Sequence, residues 1–442
     1  MWVNGSSNCS WASDHGEPLW LGTTQFYMNS WFPAVEMTAL AESFLALRFV
    51  MLWCYIRSVL LLSLSSVAFP LNGEEAYTLN SEAAFRTLQT WYNETTGIYD
   101  TTGWWNSANG LTTIADLAAV SPKTTSQIIE VLANSFVAAP KTNLGLQATK
   151  EIKADFNIVS SYSIVPLKIS DSNSTAKPDP GGFLNDFYDD EGWWALAWIQ
   201  AYDITQKKEY LQAAGDIFSD MKKGSTTPCG GIWWDKPNTY VNAIANELYL
   251  SVASHLANRA NRTLYLPIAQ EQFTWFQESG MINSQNLIND GLTTDCKNNN
   301  GTVWSYNQGV ILGALVELNI ASPNPIYLNT ASAVAVAAMS ALSVNGILHD
   351  PCGTDCGADG SQFKGVFMRN LQKLQKAAPD QKILAYVEKN AKSIWGKGRE
   401  SGSNKLGLLW EGPFTGPGIA SLQSSGLDGL IAAAAFEGKG IY

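Results

Sequence analysis

The sequence predicts an all-α protein, an (α/α)6 barrel of six helical hairpins. From about residue 80 onward, apolar residues recur with helical spacing, and the alternation typical of strands is scarce. Gly-rich, aromatic or polar loops also precede every second helix, which an irregular bundle or a solenoid would not require. Twelve such helices can close into an inner and an outer ring. No linker divides the chain, so we expect one domain over residues 69–442.

The predicted helices follow one another closely along the chain. They cover residues 81–92, 109–120, 126–138, 191–205, 207–222, 241–258, 264–279, 306–320, 327–343, 364–376, 380–395 and 420–436. Residues 140–186, between the third and fourth helices, are expected to be a long irregular segment because they contain the stretch KPDPGG.

Composition and charge exclude several classes of function. The formal net charge of −11 disfavours nucleic acid and anionic membrane surfaces as partners. The three histidines, His15, His255 and His349, show no metal-ligand spacing, so neither a zinc site nor a Ser-His-Asp triad is expected. We therefore expect no metal and no cofactor, and chemistry that rests on carboxylates.

The stretch Met51 to Ala68 has the features of a signal peptide. Arg57 provides the positive charge, an apolar run follows, and Ser66-Val67-Ala68 has the small residues of a cleavage site. A buried helix or an uncleaved anchor is the alternative. If Met51 begins a signal peptide, residues 1–50 are a spurious or disordered extension. The C-terminus lacks the apolar tail of a lipid-anchor signal, so we expect a secreted protein without a stable membrane anchor.

Sequons and cysteines favour the same compartment. Four sequons lie in the predicted mature chain, at Asn93, Asn173, Asn261 and Asn300. Four cysteines remain after residue 68, an even number that suits two disulfides outside the cell. Three pairings are possible and the sequence does not choose among them, although we favour Cys229–Cys296 with Cys352–Cys356.

The stretch NDFYDDEGWWALAW, residues 185–198, is the candidate catalytic motif. It places Asp189 and Asp190 side by side among indole rings. Acidic residues often cap helices, but a solvated cap rarely needs so many aromatic neighbours. In a first helical turn both carboxyl groups can project into a cleft about 5–6 Å apart, which suits a retaining glycosidase. A helix N-terminus keeps one Asp ionised, and its charge raises the pKa of the other.

These residues resemble glycoside hydrolase family 76, the fungal and bacterial endo-α-1,6-mannanases. The similar stretches are NDFYDDEGWWALAWIQAYD, GGIWW, NAIANELYL, INDGL, YNQGVILGALVEL and FKGVFMRNL, spread over roughly residues 80–440. The resemblance implies an (α/α)6 fold and retaining, endo-acting hydrolysis of α-1,6-mannan. It assigns the nucleophile to Asp189 and the general acid/base to Asp190.

Further residues are expected to line a substrate cleft because they occupy loops or helix starts at one end of the predicted barrel. Aromatic rings there would stack on mannose, and polar side chains would bind hydroxyl groups. The candidates are Trp105, Asn109, Tyr188, Trp193, Trp234, Asn246, Glu247, Tyr306 and Asn307.

Three alternatives differ in function. A cell-wall transglycosylase would use the same two aspartates with a sugar acceptor in place of water, and a non-catalytic mannan-binding wall protein would use the same cleft. A terpene cyclase would need the motif DDxxD, but the residue four positions after Asp189 is Trp193. We expect a monomer, and the sequence does not reveal the preferred length or branching of the glycan.

Overall fold

The computed structural model describes residues 76–143, 146–153, 158–164 and 180–438. The predicted signal peptide, the extension before it and the sequon at Asn173 lie outside the described residues. None of the described helices is both long enough and apolar enough to cross a membrane.

Twelve α-helices follow one another through the described residues. They are α1 Tyr77–Gln89, α2 Trp104–Val120, α3 Thr125–Asn143, α4 Tyr188–Thr205, α5 Lys208–Met221, α6 Ala243–Arg259, α7 Arg262–Glu278, α8 Ser305–Ala321, α9 Pro325–Ala341, α10 Gly357–Ala377, α11 Gln381–Gly396 and α12 Ala420–Ala434. Short 3-10 turns at Pro122–Thr124, Pro180–Phe183 and Lys222–Gly224 complete the helical structure of this part of the chain.

Burial separates the helices into two rings. The even-numbered helices are buried along nearly their whole length: in α6 every residue from Ala243 to Ala257 is buried. The odd-numbered helices bury one face only, as α5 does with Tyr210, Ala213 and Ile217. Each even-numbered helix packs against the next, and α12 packs against α2, so the inner ring closes. The predicted (α/α)6 barrel is confirmed.

Small residues allow the inner helices to approach closely. Gly309 of α8 faces α10, and a Cβ atom placed there would lie 2.6 Å from the Cα atom of Phe367. Gly313, one turn later on the same face, lies against Asn370 of α10. Side chains at either position would push the two helices apart. The glycines are therefore a condition for the tight inner ring.

The segment between α3 and α4 differs from the prediction. Instead of a wholly irregular stretch, it contains two antiparallel strands, β3 Leu146–Ile152 and β4 Ile158–Ile164, which we call the β3–β4 hairpin. Leu146 pairs with Ile164 and Ile152 with Ile158. Two much shorter hairpins occur elsewhere in the described chain, β1 Tyr92–Asn93 with β2 Ile98–Tyr99 and β5 Ser343–Val344 with β6 Ile347–Leu348.

Most indoles of the three tryptophan doublets, at residues 104–105, 193–194 and 233–234, lie in the core. Both indoles are buried at residues 104–105 and again at 193–194. Only in the doublet at 233–234 is one indole, that of Trp233, partly exposed. Five of these six indoles are therefore part of the packed core.

Covalent and polar links close the loops of the barrel. The disulfides Cys229–Cys296 and Cys352–Cys356 form, which is the pairing that we favoured from the sequence. The carboxylate of Glu437, just after α12, accepts hydrogen bonds from the backbone N–H groups of Tyr77 and Thr78, at 2.8 and 3.0 Å. These are the first residues of α1, where a negative charge is favourable. The first helix of the barrel is thereby held to the end of the last.

Candidate active site

The acidic motif forms the first turn of inner helix α4. Phe187 precedes the helix in an extended conformation, and its N–H group donates to the side-chain carbonyl of Asn185 at 2.9 Å. Asp189 and Asp190 follow at once, where the helix dipole favours negative charge. Glu191 faces the other way: Lys236 lies 2.9 Å from its carboxylate, and burial raises its pKa to about 8. Two of the three acidic residues are therefore left for the cleft.

The carboxyl groups of Asp189 and Asp190 converge on one cation. The ammonium group of Lys150, from β3, lies 2.6 Å from Asp190 Oδ1 and 3.1 Å from both oxygens of Asp189. Asn185 donates to Asp190 Oδ2 at 2.7 Å, and the hydroxyl group of Tyr162, from β4, lies 3.5 Å from the same oxygen. Two carboxyl groups that share one ammonium ion are close neighbours, although adjacent positions on a helix point about 100° apart.

The environment prepares Asp190 to hold a proton. Asp190 is fully buried, and this burial, opposed by Lys150 and reinforced by the charge of Asp189, raises its pKa to about 6. Asp189 keeps slight exposure, 7%. Asp190 can therefore act as a proton donor in mildly acidic solution.

Aromatic rings from four inner helices form a layer beside the pair. Trp105 of α2 stacks on Trp193 of α4, with ring centroids 5.6 Å apart, and on Phe363 of α10 at 6.2 Å. Tyr306 of α8 stacks on Phe363 at 3.9 Å. The Trp105 indole also donates a hydrogen bond of 2.8 Å to Asp359. A layer of this kind provides the flat apolar surface on which a sugar ring can lie.

A second polar cluster lies around Tyr306. Burial and then the charges of nearby carboxylates raise the pKa of Tyr306 well above its ordinary value, and these carboxylates belong to Asp290, Asp189, Asp359 and Glu247. Neither carboxylate oxygen of Glu247 has a hydrogen-bond partner among the described residues, and the same is true of both side-chain amide atoms of Asn307. Burial, with the charge of Asp290, raises the pKa of Glu247 well above its ordinary value.

Buried polar groups without partners are unusual in proteins. Asn307 offers a donor and an acceptor at this end of the barrel, and Glu247 adds a carboxyl group whose pKa is raised by burial. Such groups are suited to bind the hydroxyl groups of a sugar.

Three predicted cleft residues use their side chains to support the scaffold. The amide of Asn246 bonds to both the N–H and the carbonyl group of Ile232 and so holds the GGIWW loop. Asn109 donates to the carbonyl of Trp105 and accepts a hydrogen bond from Arg369 in the barrel interior. The ring of Tyr188 packs against Gly224, away from the paired carboxylates of its own helix.

Trp234 does lie beside the pair. Its ring centroid is 5.0 Å from that of Phe187, and the Lys150 ammonium group lies 5.7 Å from the Trp234 centroid. Of the predicted aromatic residues, Trp234 lies beside Lys150, Tyr306 senses the charge of Asp189, and Trp105 and Trp193 belong to the aromatic layer.

Sequence reasoning missed three residues of this site: Lys150, Tyr162 and Asp359. Lys150 and Tyr162 belong to the β3–β4 hairpin, whose second strand reads IVSSYSI. This run of β-branched and aromatic residues was an available strand signal. Asp359 lies in the first turn of α10, which we predicted to begin seven residues later than its first residue, Gly357.

An α-helical barrel with paired acids and an aromatic layer at the ends of its inner helices has the architecture of a helical glycoside hydrolase. The chain belongs to glycosyl hydrolase family 76, whose family model matches residues 169–436.

Fungal relatives match parts of the chain. Mannan endo-1,6-alpha-mannosidase DFG5 of Saccharomyces cerevisiae is 24% identical over 250 residues, which are 50% of this chain and 54% of the relative. Mannan endo-1,6-alpha-mannosidase DCW1 of Candida albicans is 25% identical over 206 residues, 41% of this chain and 46% of the relative. The chain thus spans about half the length of the curated relatives it matches.

Solved structures show the same fold. A Listeria innocua protein is 24% identical with a TM-score of 0.65, over 82% of this chain and 97% of that one. The GH76A alpha-1,6-mannanase of Salegentibacter is 20% identical with a TM-score of 0.67, over 82% and 100%. An inactive variant of the same mannanase, with two adjacent aspartates changed to asparagine, is described in complex with alpha-1,6-mannotriose and has a TM-score of 0.66 at 20% identity, over 82% and 100%.

Proposed function

We propose that this protein is a retaining, endo-acting glycoside hydrolase that cleaves α-1,6-linked mannan. The observation that carries the proposal is the convergence of Asp189 and Asp190 on a single point in an aromatic cleft, with the pKa of Asp190 raised to about 6. Family membership and the names of the fungal and bacterial relatives support the choice of substrate.

The two aspartates have separate roles in the proposed double displacement. Asp190 donates its proton to the glycosidic oxygen while Asp189 attacks the anomeric carbon, which gives a glycosyl-enzyme ester and a free leaving sugar. Asp190, now ionised, takes a proton from water, and this water releases the sugar from Asp189. Both steps require two carboxyl groups within about 5–5.5 Å of each other.

Substrate binding in this proposal uses the aromatic layer and the second polar cluster. Trp105, Trp193 and Tyr306 would lie along the apolar faces of mannose rings. Glu247 and Asn307, which lack hydrogen-bond partners among the described residues, would bind hydroxyl groups. Asn109, Asn246 and Tyr188 would support these elements from behind.

The test combines product analysis with substitution of each aspartate. The wild-type protein, incubated with unbranched α-1,6-mannan and followed by NMR, should release short oligosaccharides first as α-anomers. Asp189→Asn and Asp190→Asn should each lower kcat by several orders of magnitude while the thermal unfolding curve stays near that of the wild type. Near-normal turnover in either variant would refute the assignment.

The same assay separates the alternative functions. Products longer than the donor would identify a transglycosylase. Binding of mannan without any product would identify a binding protein. Products that appear first as β-anomers would show an inverting mechanism and exclude Asp189 as the nucleophile.

We also propose that the protein is secreted and glycosylated. Two disulfides in the described chain support this, as they persist in oxidising compartments. Asn261 and Asn300 are exposed. At Asn261 the side-chain oxygen caps α7 by accepting from Leu264 N–H, and a glycan on the nitrogen is compatible with this cap. Mass spectrometry that found Asn93, Asn261 and Asn300 all unmodified in protein from a fungal culture medium would count against this proposal.

A further inference from the structure

The β3–β4 hairpin lies directly over the two aspartates. The Lys150 side chain is only 2% exposed and fills the space between the carboxyl groups of Asp189 and Asp190. Those carboxyl side chains are themselves only 9% and 0% exposed. A mannan chain cannot reach either carboxyl group while the lysine stays there.

The ammonium group of Lys150 occupies the position that the reacting sugar needs. In a retaining glycosidase the anomeric carbon and the glycosidic oxygen lie between the two carboxyl groups, and positive charge develops on the sugar there. The ammonium group places a full positive charge at that point. The ring of Phe187, 4.6 Å away, adds a cation–π contact. In charge and position, the Lys150 ammonium group thus resembles the positively charged sugar of the transition state.

Polar contacts fasten the hairpin to the cleft. Besides the ion pairs of Lys150, the backbone N–H of Ser160 donates to Asp359 Oδ2 at 2.8 Å, and Tyr162 approaches Asp190. The other oxygen of Asp359 accepts the hydrogen bond from Trp105, so the hairpin is attached to a residue that also holds the aromatic layer.

The hairpin is a sheet of its own. Strands β3 and β4 pair only with each other among the described strands. Moving the hairpin away from the cleft would therefore leave its ladder of backbone hydrogen bonds intact. Its outward side chains, including Thr149, Glu151 and Ser161, are exposed to solvent.

We infer that the β3–β4 hairpin is a built-in plug of the active site: Lys150 holds the place of the sugar between Asp189 and Asp190, and the hairpin withdraws as a unit when an α-1,6-mannan chain binds. This inference rests on the proposed function, because it names the occupant that the plug excludes. The fraction of molecules in the open state then sets the apparent affinity for mannan. A ligand that binds only the open state has its affinity reduced in proportion to that fraction.

The first experiment compares two lysines of the same hairpin. Lys150→Met keeps the length of the side chain and removes its charge. Lys153→Met is the matched control, because Lys153 is 46% exposed and pairs with Glu151 on the same hairpin. The probe is thio-linked α-1,6-mannotriose, which resists hydrolysis, and its dissociation constant is measured by calorimetry. We expect Lys150→Met to bind about tenfold more tightly than the wild type, as for a state that is about one-tenth open, and Lys153→Met to match the wild type.

A second measurement uses the unaltered protein. Hydrogen exchange of the Ser160 backbone amide, which donates to Asp359 in the closed state, should become faster when thio-linked α-1,6-mannotriose is added, while the amides of the β3–β4 ladder keep their protection. Slower exchange would show that the hairpin closes over the sugar instead, and would overturn the plug. Equal or weaker binding of the probe by Lys150→Met would also overturn it.

Failure of the plug differs from failure of the proposed function. If the wild type cleaves α-1,6-mannan but Lys150→Met gains no affinity, only the plug is refuted. If neither protein binds the probe and the wild type leaves mannan intact, the proposed function is wrong and the plug is refuted with it.

Discussion

If the protein is the hydrolase proposed above, Asn185 should control the pH range of its activity. Its side-chain N–H donates to Asp190 Oδ2 at 2.7 Å, and this bond stabilises the ionised carboxylate and so lowers the pKa of Asp190. Burial outweighs that effect and leaves the pKa raised to about 6. In the proposed mechanism Asp190 must carry its proton to act as the acid, so wild-type kcat/KM should fall about tenfold per pH unit above about pH 6.

Replacing Asn185 by alanine should move the alkaline limb of the pH profile of kcat/KM to higher pH. A hydrogen bond to a charged group contributes about 1.5–3 kcal/mol, and one pKa unit corresponds to about 1.36 kcal/mol. Because Asn185 is half-buried, we take the lower end of that range. Asn185→Ala should therefore raise the pKa of Asp190 by about one unit and shift the alkaline limb to about pH 7.

The measurement is kcat/KM for α-1,6-mannotetraose between pH 4 and about pH 9, which reports on the free enzyme. The control is Asp186→Asn, an exposed neighbour in the same segment, which should leave the limb near pH 6. If the limb of Asn185→Ala stays where it is in the wild type, or moves to lower pH, then Asp190 is not the acid whose ionisation limits the rate.

Two further predictions concern stability. Gly309→Ala should lower the unfolding free energy by about 1–3 kcal/mol, because the new methyl group meets the backbone of Phe367. The measurement is thermal unfolding. The control is Gly396→Ala, whose Cβ meets nothing within 4 Å and which should be neutral or stabilising. Removing Cys229–Cys296, which spans 67 residues, should cost about 4 kcal/mol, against about 2 kcal/mol for Cys352–Cys356, which spans 4. Calorimetry of the two double Cys→Ser variants would contradict the loop-entropy reasoning if their order were reversed.

The helices could be predicted from the sequence because each inner or outer helix carries its own apolar pattern. Their starts were harder to place. We expected the second helix to run from Asn109, but α2 begins at Trp104, since both indoles of the doublet pack inside the ring. The acidic motif was easier to locate, because adjacent carboxylates among aromatic residues indicate a glycosidase site by their residue types alone. Asp189 and Asp190 do lie in the first turn of α4.

The partners of the acid pair could not be predicted in the same way. Lys150 lies 39 positions before Asp189, in a segment without helical periodicity, and a lysine between polar residues usually faces solvent. Only the long-range approach of the hairpin brings it to the carboxylates. The partners of Asn246 and Asn109 were equally hard to foresee: their positions predicted sugar binding, and in the structure their amides bond to backbone carbonyl groups and to Arg369.

The hydrogen bonds between Glu437 and the start of α1 have a consequence for how the protein folds during synthesis. Residues 77 and 78 leave the ribosome hundreds of residues before residue 437, with which they pair across 360 positions. The six helical hairpins can form one after another as they emerge, but the ring stays open until α12 arrives between α10 and α2. Until then the apolar sides of α2 and α10 are uncovered. We expect translation of the last helix to be the step at which the nascent chain becomes resistant to protease, and ribosome-bound chains that stop before Ala420 to remain sensitive.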